Sequence, residues 1–572
     1  EAQIFSFLKY KLNLGADISD NETNTWRTGY ATALNGSDSN SSATDSGTRN
    51  ITYLVENTFT FDKKINKHTI NAVIGNSYQN TMYKTYSASK QKLIQTADGH
   101  FLTTVSSGTT EPTASGEKYC ATLISYLGRL NYDFDGKYLL SLTGRIDGSS
   151  RFAKGKRWGV FPSASIGWRV SKEKFFKVDW IDDLKLRANY GNLGSQNVGY
   201  YDYQMYVNSN PQYLFNGTTA TQGQIVSKLS NTDLSWETLE QTNIGMDIAF
   251  LKSRLQFSAE YYLSKSHDVL TALPILMTTG NSGGNPYVNA ASIQNKGFEI
   301  TGTWRDQISK DFSYSVSANI SHSKNKLIKF GYGKNSEYTD RCVTKVGNPI
   351  GMFYLIQTDG IFKSDEEANA YVNSKGEKIQ PIAGGGDVKY IDANGDGKIT
   401  TDDRVVCGSP WPDFEYGINV SAKYKNIELA ISGYGKQGGK IYDDTRRYMS
   451  IFQDCAAAYS GYDYWTPTNT GSVNPRPIYG DSRNTLNYMD RWLESASFFR
   501  FSTISAAYNW KPSFLRGIVE DIRFSVTAQN LLTLTSYKGY DPDFQGSLFE
   551  PGVDYSSYAS PKSVIFSLNL KF

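Results

Sequence analysis

The run Asp392-Ala-Asn-Gly-Asp-Gly-Lys-Ile-Thr-Thr-Asp-Asp403 carries the densest chemistry in this chain. Side-chain oxygens stand at its first, third and fifth positions (Asp392, Asn394, Asp396), and Gly397 follows at the sixth. Lys398 offers its carbonyl at the seventh, Thr400 sits at the ninth and Asp403 closes the run at the twelfth. A hard cation needs six to eight oxygens, and this is the spacing by which an EF-hand-type loop supplies them to Ca²⁺. Asp in place of Glu at the last position is a shorter arm with a weaker two-oxygen grip. The flanks read as strand or irregular chain, not as paired helices. The expectation is a structural Ca²⁺ that rigidifies a loop. The plain alternative is an Asp/Gly turn held by its own Asx hydrogen bonds.

A second candidate set is aromatic: Tyr200, Tyr201, Tyr203, Tyr213, Phe215, Trp411, Tyr462, Tyr464 and Trp465. Flat rings stack on sugar faces and grip peptide side chains. The competing reading makes them loop packing. Arg151, Lys154, Lys156 and Arg157 form a compact basic turn, suited either to lipid phosphates or to a solvated hairpin.

Catalysis finds little support. The four histidines (His68, His100, His267, His322) are far apart and have no metal-ligand spacing. No nucleophile elbow, P-loop or dinucleotide fingerprint is present. The glycines of residues 433–439 lack the Lys-Ser/Thr of a phosphate cradle. The chain does not read as an enzyme.

These residues sit between segments that alternate with period two. Val564, Phe566, Leu568, Leu570 and Phe572 oppose Ile565, Ser567, Asn569 and Lys571 at the end of the chain. Such a strand must be accepted by a neighbour, in a closed barrel by the first strand. Ile244, Met246, Ile248 and Phe250 oppose Asn243, Gly245 and Asp247, and Ile522, Phe524, Val526 and Ala528 oppose Arg523, Ser525, Thr527 and Gln529. Roughly sixteen such segments can be counted, each at least the ~9–11 residues that cross a bilayer.

Alternation alone also fits a soluble sandwich. The connections discriminate. Tight turns at residues 133–137, 251–253, 307–311 and 424–426 alternate with long excursions. The excursions cover about residues 20–50, 85–121, 193–236, 267–295, 326–413, 442–497 and 535–562. Short turns on one side and long loops on the other mark an outer-membrane barrel, with the long side outside the cell. Mean hydropathy is −0.47, and no apolar run is long enough for a membrane helix. Aromatics are 14%, with 40 Tyr, as strands and interfacial girdles favour. A net charge of +3 and the lack of a basic stripe give no nucleic-acid signal. Residues 1–572 read as one all-β domain, a transmembrane antiparallel barrel. Glu1-Ala2-Gln3 opens directly into a strand-like run with no signal peptide, so the expectation is a chain that begins mid-barrel. Cys120, Cys342, Cys407 and Cys455 fall in expected loops; free thiols and a loop disulfide, first of all Cys342–Cys407, both stand open.

Taken together, a set of motifs resembles the SusC-like (SusC/RagA) branch of the TonB-dependent transporters. They are Tyr138-Leu-Leu-Ser-Leu-Thr-Gly-Arg145, Asp147-Gly-Ser-Ser-Arg-Phe152 and Trp158-Gly-Val-Phe-Pro-Ser-Ala-Ser-Ile-Gly-Trp-Arg169. Leu186-Arg-Ala-Asn-Tyr-Gly191, Asp233-Leu-Ser-Trp-Glu237, Asn243-Ile-Gly245 and Asn295-Lys-Gly-Phe-Glu299 follow. Gly360-Ile-Phe362, Asp403-Arg404 and Tyr537-Lys-Gly-Tyr-Asp-Pro542 complete the order over almost the whole chain. The resemblance implies a plugged barrel of about 22 strands, of which roughly sixteen are encoded here and about six precede Glu1. The plug and the TonB box would lie there too. It further implies TonB-coupled import of oligosaccharides or oligopeptides with a SusD-like surface lipoprotein as lid. The lumen would be lined by polar faces such as Arg187, Asp247, Glu260, Lys423 and Arg523. The alternative is a passive porin or structural barrel.

Overall fold

The computed structural model describes the chain except residues 33–35, 39, 209–211, 215–216, 274, 277, 279–283, 332, 452–460, 481–482, 513 and 515–516. Its main feature is one sheet of 17 strands. In chain order these are β1 (Ala2–Phe5), β2 (Leu8–Arg27), β3 (Ser42–Ile65), β4 (His68–Gln91), β5 (Thr113–Phe134), β6 (Tyr138–Ser149) and β7 (Trp158–Arg169). They continue as β8 (Ile181–Ser195), β9 (Glu237–Phe250), β10 (Leu255–Ala272), β11 (Tyr287–Gln307) and β12 (Phe312–Lys329). The last five are β13 (Phe414–Tyr424), β14 (Ile427–Gln437), β15 (Phe498–Trp510), β16 (Asp521–Thr535) and β17 (Ser563–Lys571). The roughly sixteen segments of the sequence reading are therefore one short of the observed number. No helix among the described residues is long and apolar enough to cross a membrane.

Contacts divide the chain into two units. The first comprises residues 1–168, 189–240 and 266–290, the second residues 169–188, 241–265 and 291–572. In the first unit, β1 to β7 pair antiparallel in sequence order. Strands β2 to β5 run 20, 24, 24 and 22 residues, about twice what a bilayer crossing needs. Their far ends are polar: Asp20 lies opposite Arg49, with the ion pair closed at 3.0 Å. The excursions expected at residues 20–50 and 85–121 are accordingly shorter, running only between Arg27 and Ser42 and between Gln91 and Thr113. Strands without an apolar face carry no alternation to read, yet their backbones pair all the same. A small apolar cluster of Phe152, Phe161, Val198, Leu234 and Trp236 anchors the chain between β8 and β9.

In the second unit, β11 to β17 pair antiparallel in order, with bulges near Ser432/Gly433 and Phe501/Thr503. The turns expected at residues 251–253, 307–311 and 424–426 join β9–β10, β11–β12 and β13–β14 as read. The long excursions here are not loose. Four short strands (Ser336–Tyr338, Cys342–Lys345, Met352–Ile356, Arg404–Gly408) form a sheet of their own. Thr358–Ile361 pairs with Val388–Tyr390, and Lys440–Asp443 lies between Leu493–Ser495 and Val553–Asp554. Two short helices, α1 (Asp365–Ala370) and α2 (Asp444–Met449), complete this loop body. Its core holds Phe353, Leu355, Ile356, Val388, Tyr442, Met489 and Trp492 among others, with little or no water contact.

Candidate functional site

Alternation sorts each strand of the second unit into an apolar and a polar face. Ile244, Tyr261, Leu429, Phe524 and Val526 are exposed on the apolar side. The residues between them meet in charged networks. Arg187 of β8 lies 3.3 Å from Asp247 of β9 and also binds Glu260 of β10. Asn243 donates to Glu260 and Ser258 to Asp247. A second network centres on Glu428 of β14. It pairs with Lys423 of β13 (3.3 Å) and Arg523 of β16, and accepts from Asn509 of β15 (3.0 Å). The five charged residues expected on polar faces thus fall into two separate groups. Glu428 and Asn509 were missed, although the alternation of residues 427–431 places Glu428 there by the same rule.

The loop body is tied by buried ion pairs. Arg500 binds Asp541, Arg341 binds Asp444 at 2.8 Å, and Arg476 reaches both oxygens of Asp387 at 2.7 Å. Burial alone would raise the Asp387 pKa, but hydrogen bonds from Arg476, Asn484 and the Gly384 N–H hold it below the usual carboxylate range. Asp443 and Asp490 are raised, chiefly by burial. Both bind through backbone: Asp443 accepts from the Arg446 N–H that opens α2, and Asp490 accepts from Thr358.

Of the two cysteine readings left open, the structure shows free thiols: Cys342 and Cys407 are not joined, and exposed Cys120 is free as well. Cys342 and Cys407 stand on strands separated by the Met352–Ile356 strand. Two strand spacings are about 10 Å, beyond the ~4.4–6.8 Å Cα separation of a disulfide. Burial pushes Cys342 up to about 12 and Cys407 up to about 11. Cys455 lies outside the described residues.

In the acidic loop, Asp392 accepts from the Gly395 and Gly397 N–H groups (2.8 and 2.7 Å), Asn394 from Asp396 and Asp396 from Lys398. Gly397 has φ +82, which the sixth position of such a turn requires. Asp403 is fully buried and accepts from Ala393 and Thr400. Thr400 caps the short turn at residues 401–403. Among the described residues no three His, Cys, Asp or Glu side chains are gathered as a metal cage. The Asx bonds of the plain reading are therefore present. Asp403 Oδ1 already accepts from both Ala393 and Asn394, whereas the oxygens of Asp392 and Asp396 and Asp403 Oδ2 each keep a second lone pair, which a hard cation can use.

The aromatic candidates separate by environment. Tyr200 stacks on Tyr119 (5.4 Å, 8°) and lies beneath Arg151 (4.5 Å), so both its faces are covered. Tyr201 bonds the backbone of Cys120, and Tyr203 packs on the Phe152 cluster. Trp465 packs against the loop-body core and closely approaches Gly385 and Gly386. These four serve packing. Tyr213, Trp411 and Tyr464 are exposed, and Tyr462 is half-buried. Trp411 donates to the Ile350 carbonyl (2.8 Å) and lines a cleft of about 510 Å³ with Pro412, Phe544 and Leu548. Phe215 lies outside the described residues. In the basic turn, Arg151 donates to the Val198 carbonyl, Arg157 to Phe152 (3.2 Å), and Lys156 pairs with Asp233 (3.4 Å). Three of its four cations hold protein, as a structural hairpin requires.

An antiparallel sheet of long strands, apolar outside and charged inside, with tight turns at one end, defines a membrane-spanning β-barrel. A family model described as TonB dependent receptor-like, beta-barrel, matches residues 4–373. The chain belongs to that family of outer-membrane barrels and is SusC-like within it. It is 30% identical over 540 residues to TonB-dependent receptor P3 of Formosa agariphila, covering 91% of this chain and 52% of that protein. It is 29% identical over 461 residues to TonB-dependent receptor SusC of Bacteroides thetaiotaomicron, covering 79% of this chain and 44% of that protein. The chain thus spans about half the length of the curated relatives it matches. The structure of the RagAB peptide transporter superposes with TM-score 0.83 at 23% identity, over 100% of this chain and 60% of that one. That likeness shows the shared fold.

Proposed function

We propose that this chain is the barrel portion of a TonB-coupled outer-membrane importer of oligosaccharides or oligopeptides. Its long loops face outside, where a SusD-like surface lipoprotein lids them. The observation that carries the reading is the charged inner face, where Arg187, Asp247 and Glu260 form one network and Lys423, Glu428 and Arg523 another. A wall facing lipid would not hold such groups, and a wall lining an aqueous passage does. The packed loop body gives a lid a firm rim. The matched relatives carry TonB-dependent names, which supports energy coupling.

Uptake of labelled oligomers into cells with and without TonB tests this. Accumulation lost with TonB and with the transporter gene is expected. Accumulation that ignores TonB, together with steady ion conductance in bilayers, would make the protein a passive porin.

The Asp392–Asp403 loop is proposed to hold Ca²⁺ through Asp392, Asn394, Asp396, the Lys398 carbonyl, Thr400 and Asp403. The ion would stiffen the loop. Chelation should then speed proteolysis between residues 390 and 404, and added Ca²⁺ should reverse it. Cleavage indifferent to chelator would leave the Asx turn as the whole account.

A further inference from the structure

Strands β4 and β5 set two lysines directly opposite each other. Lys84 and Lys118 are register partners, both are exposed, and the β4–β5 ladder runs through them without a bulge. Like charges opposed in this way weaken a sheet. In the same row Arg49 of β3 faces Lys84, and Asp20 of β2 faces Arg49. The ion pair of the row joins Asp20 to Arg49, and among the described residues neither lysine meets a carboxylate. Glu22 and Asp45, the other acids on this face of β2 to β5, stand on β2 and β3 as well.

Alternation fixes the face they share. Tyr83 and Tyr119, the chain neighbours of Lys84 and Lys118, stack on each other and on Tyr200 across the opposite face. The lysines therefore stand on the outward face, with exposed Ile74, Tyr78 and Tyr126. The next row toward the tight turns is Ile18, Ile51, Met82 and Cys120, so theirs is the first charged row beyond an apolar one. Sixteen residues separate Lys84 from His68 and Lys118 from Phe134, which open and close the strands at the tight turns. At ~3.3 Å per residue and a tilt of about 40°, that is a rise of about 40 Å. A bilayer with both headgroup layers is about 40–45 Å thick. Beyond the pair, the Tyr86 ring lies across Gly47, and the side toward Gly116 stays open. A plug would fill the other face of this sheet, and strands preceding β1 would meet β2, so neither would cover the two lysines.

We infer that Lys84 and Lys118 form a seat for the phosphate headgroup of an outer-leaflet lipid, held against the outer wall of the barrel. The inference takes from the reading above only that the long loops face outside. Residues opposed across an antiparallel ladder have Cα atoms about 4.5–5.5 Å apart, so one phosphate can meet both ammonium groups. Phosphate offers the negative charge and acceptor oxygens that the pair lacks, and it turns a repulsion within the sheet into two charge-assisted hydrogen bonds. The lysine stems lie against the sheet while their heads reach the headgroup layer. The apolar row beneath takes the acyl chains of the same lipid.

The test titrates the full-length transporter, delipidated in detergent, with three probes: diphosphoryl lipid A, the same lipid stripped of phosphate, and inorganic phosphate. Diphosphoryl lipid A should bind at least about tenfold more tightly than the stripped lipid, less so as salt rises. K84Q/K118Q should weaken that binding about tenfold, and K84R/K118R should restore most of it. K154Q, in the basic turn, should bind like the parent. Without lipid, K84Q/K118Q should unfold at the same or a higher urea concentration than the parent, because the repulsion is gone. K84Q/K118Q binding like the parent would overturn the inference, as would loss of binding in K154Q alone. Inorganic phosphate held as tightly as the lipid would make the pair a free-anion site and overturn it too. So would a parent dimer that K84Q/K118Q splits with lipid binding unchanged, since a second copy would then be the occupant. Protease added to intact cells should cut residues 92–112, which checks the orientation apart from the lipid result. Lysine-dependent lipid binding without TonB-dependent uptake would keep the seat and remove the importer, and uptake without such binding would do the reverse.

Discussion

Arg341 and Asp444 lie 103 positions apart, yet Arg341 Nη2 stands 2.8 Å from Asp444 Oδ1 with both residues largely out of water. The guanidinium also lies over the rings of Tyr442 and Tyr555, at 5.2 and 5.0 Å. One side chain thus joins three long excursions into the loop body. Replacing it with Met removes one of two guanidinium partners of Asp444, since Arg447 Nε stays 2.6 Å from the same oxygen, so the loss should be about 1–3 kcal/mol. R341M should raise hydrogen exchange in residues 352–356 and 440–449 while the β12–β17 sheet keeps its protection. Unchanged exchange in those segments would show that the excursions hold together without the pair.

Acid should loosen the same body. Asp387 is 1% exposed and held below its ordinary pKa against the effect of burial, by Arg476, Asn484 and Gly384. A carboxylate depressed in the fold adds stability that is complete above its unfolded pKa and lost as pH falls through the folded one. Asp541 is depressed too, with burial opposed by the Ser560 and Asp543 N–H groups and Arg500. Asp443 and Asp490, raised by burial, work the other way and soften the effect. Exchange at residues 384–388 should quicken below the normal aspartate range. D387N should flatten that pH dependence and quicken exchange at neutral pH by about tenfold, equivalent to about 1.4 kcal/mol.

Period-two patterns were enough to read the barrel wherever one strand face met lipid. The turn before Leu255 and the start of β17 at Ser563 fall where alternation placed them. Legibility failed where neither face was apolar. The polar halves of β2 and β3, beyond their tight turns, are held by backbone pairing and by contacts such as Asp20–Arg49, which leave no periodic trace. The loop body was also hidden, because Arg341–Asp444 and Arg500–Asp541 are long-range pairs between unpatterned segments. Among the aromatics, residue type could not separate Tyr200, covered on both faces, from exposed Trp411. Polar faces were legible one residue at a time, but not the grouping of Lys423, Glu428 and Arg523, which depends on register.

The cysteines give a chemical check on the register of the loop body. If Cys342 and Cys407 are separated by an intervening strand, oxidation cannot join them without unfolding that sheet. Peptide mapping of air-oxidised protein should find no Cys342–Cys407 crosslink. Both thiols should resist maleimide at pH 8, because burial keeps them protonated. Exposed Cys120 should label ahead of both. Recovery of a Cys342–Cys407 peptide from folded protein would move one of these strands.

Gly297 tests the barrel wall itself. It lies in the Asn295-Lys-Gly-Phe-Glu299 motif, which the sequence presents without a reason for the glycine. In the fold it stands opposite Ser323 on β12, and a Cβ there would sit 1.9 Å from the His322 carbonyl oxygen. The obstacle is backbone, so no side-chain rotation relieves it. The two strands must part, and the ladder beside them lengthens. G297A should therefore cost about 1–3 kcal/mol, seen as a lower urea midpoint for the protein in detergent or bilayers. G302A on the same strand is the control, because nothing lies within 4 Å of its Cβ. Equal midpoints for G297A and G302A would mean that β11 and β12 approach each other less closely than this register requires.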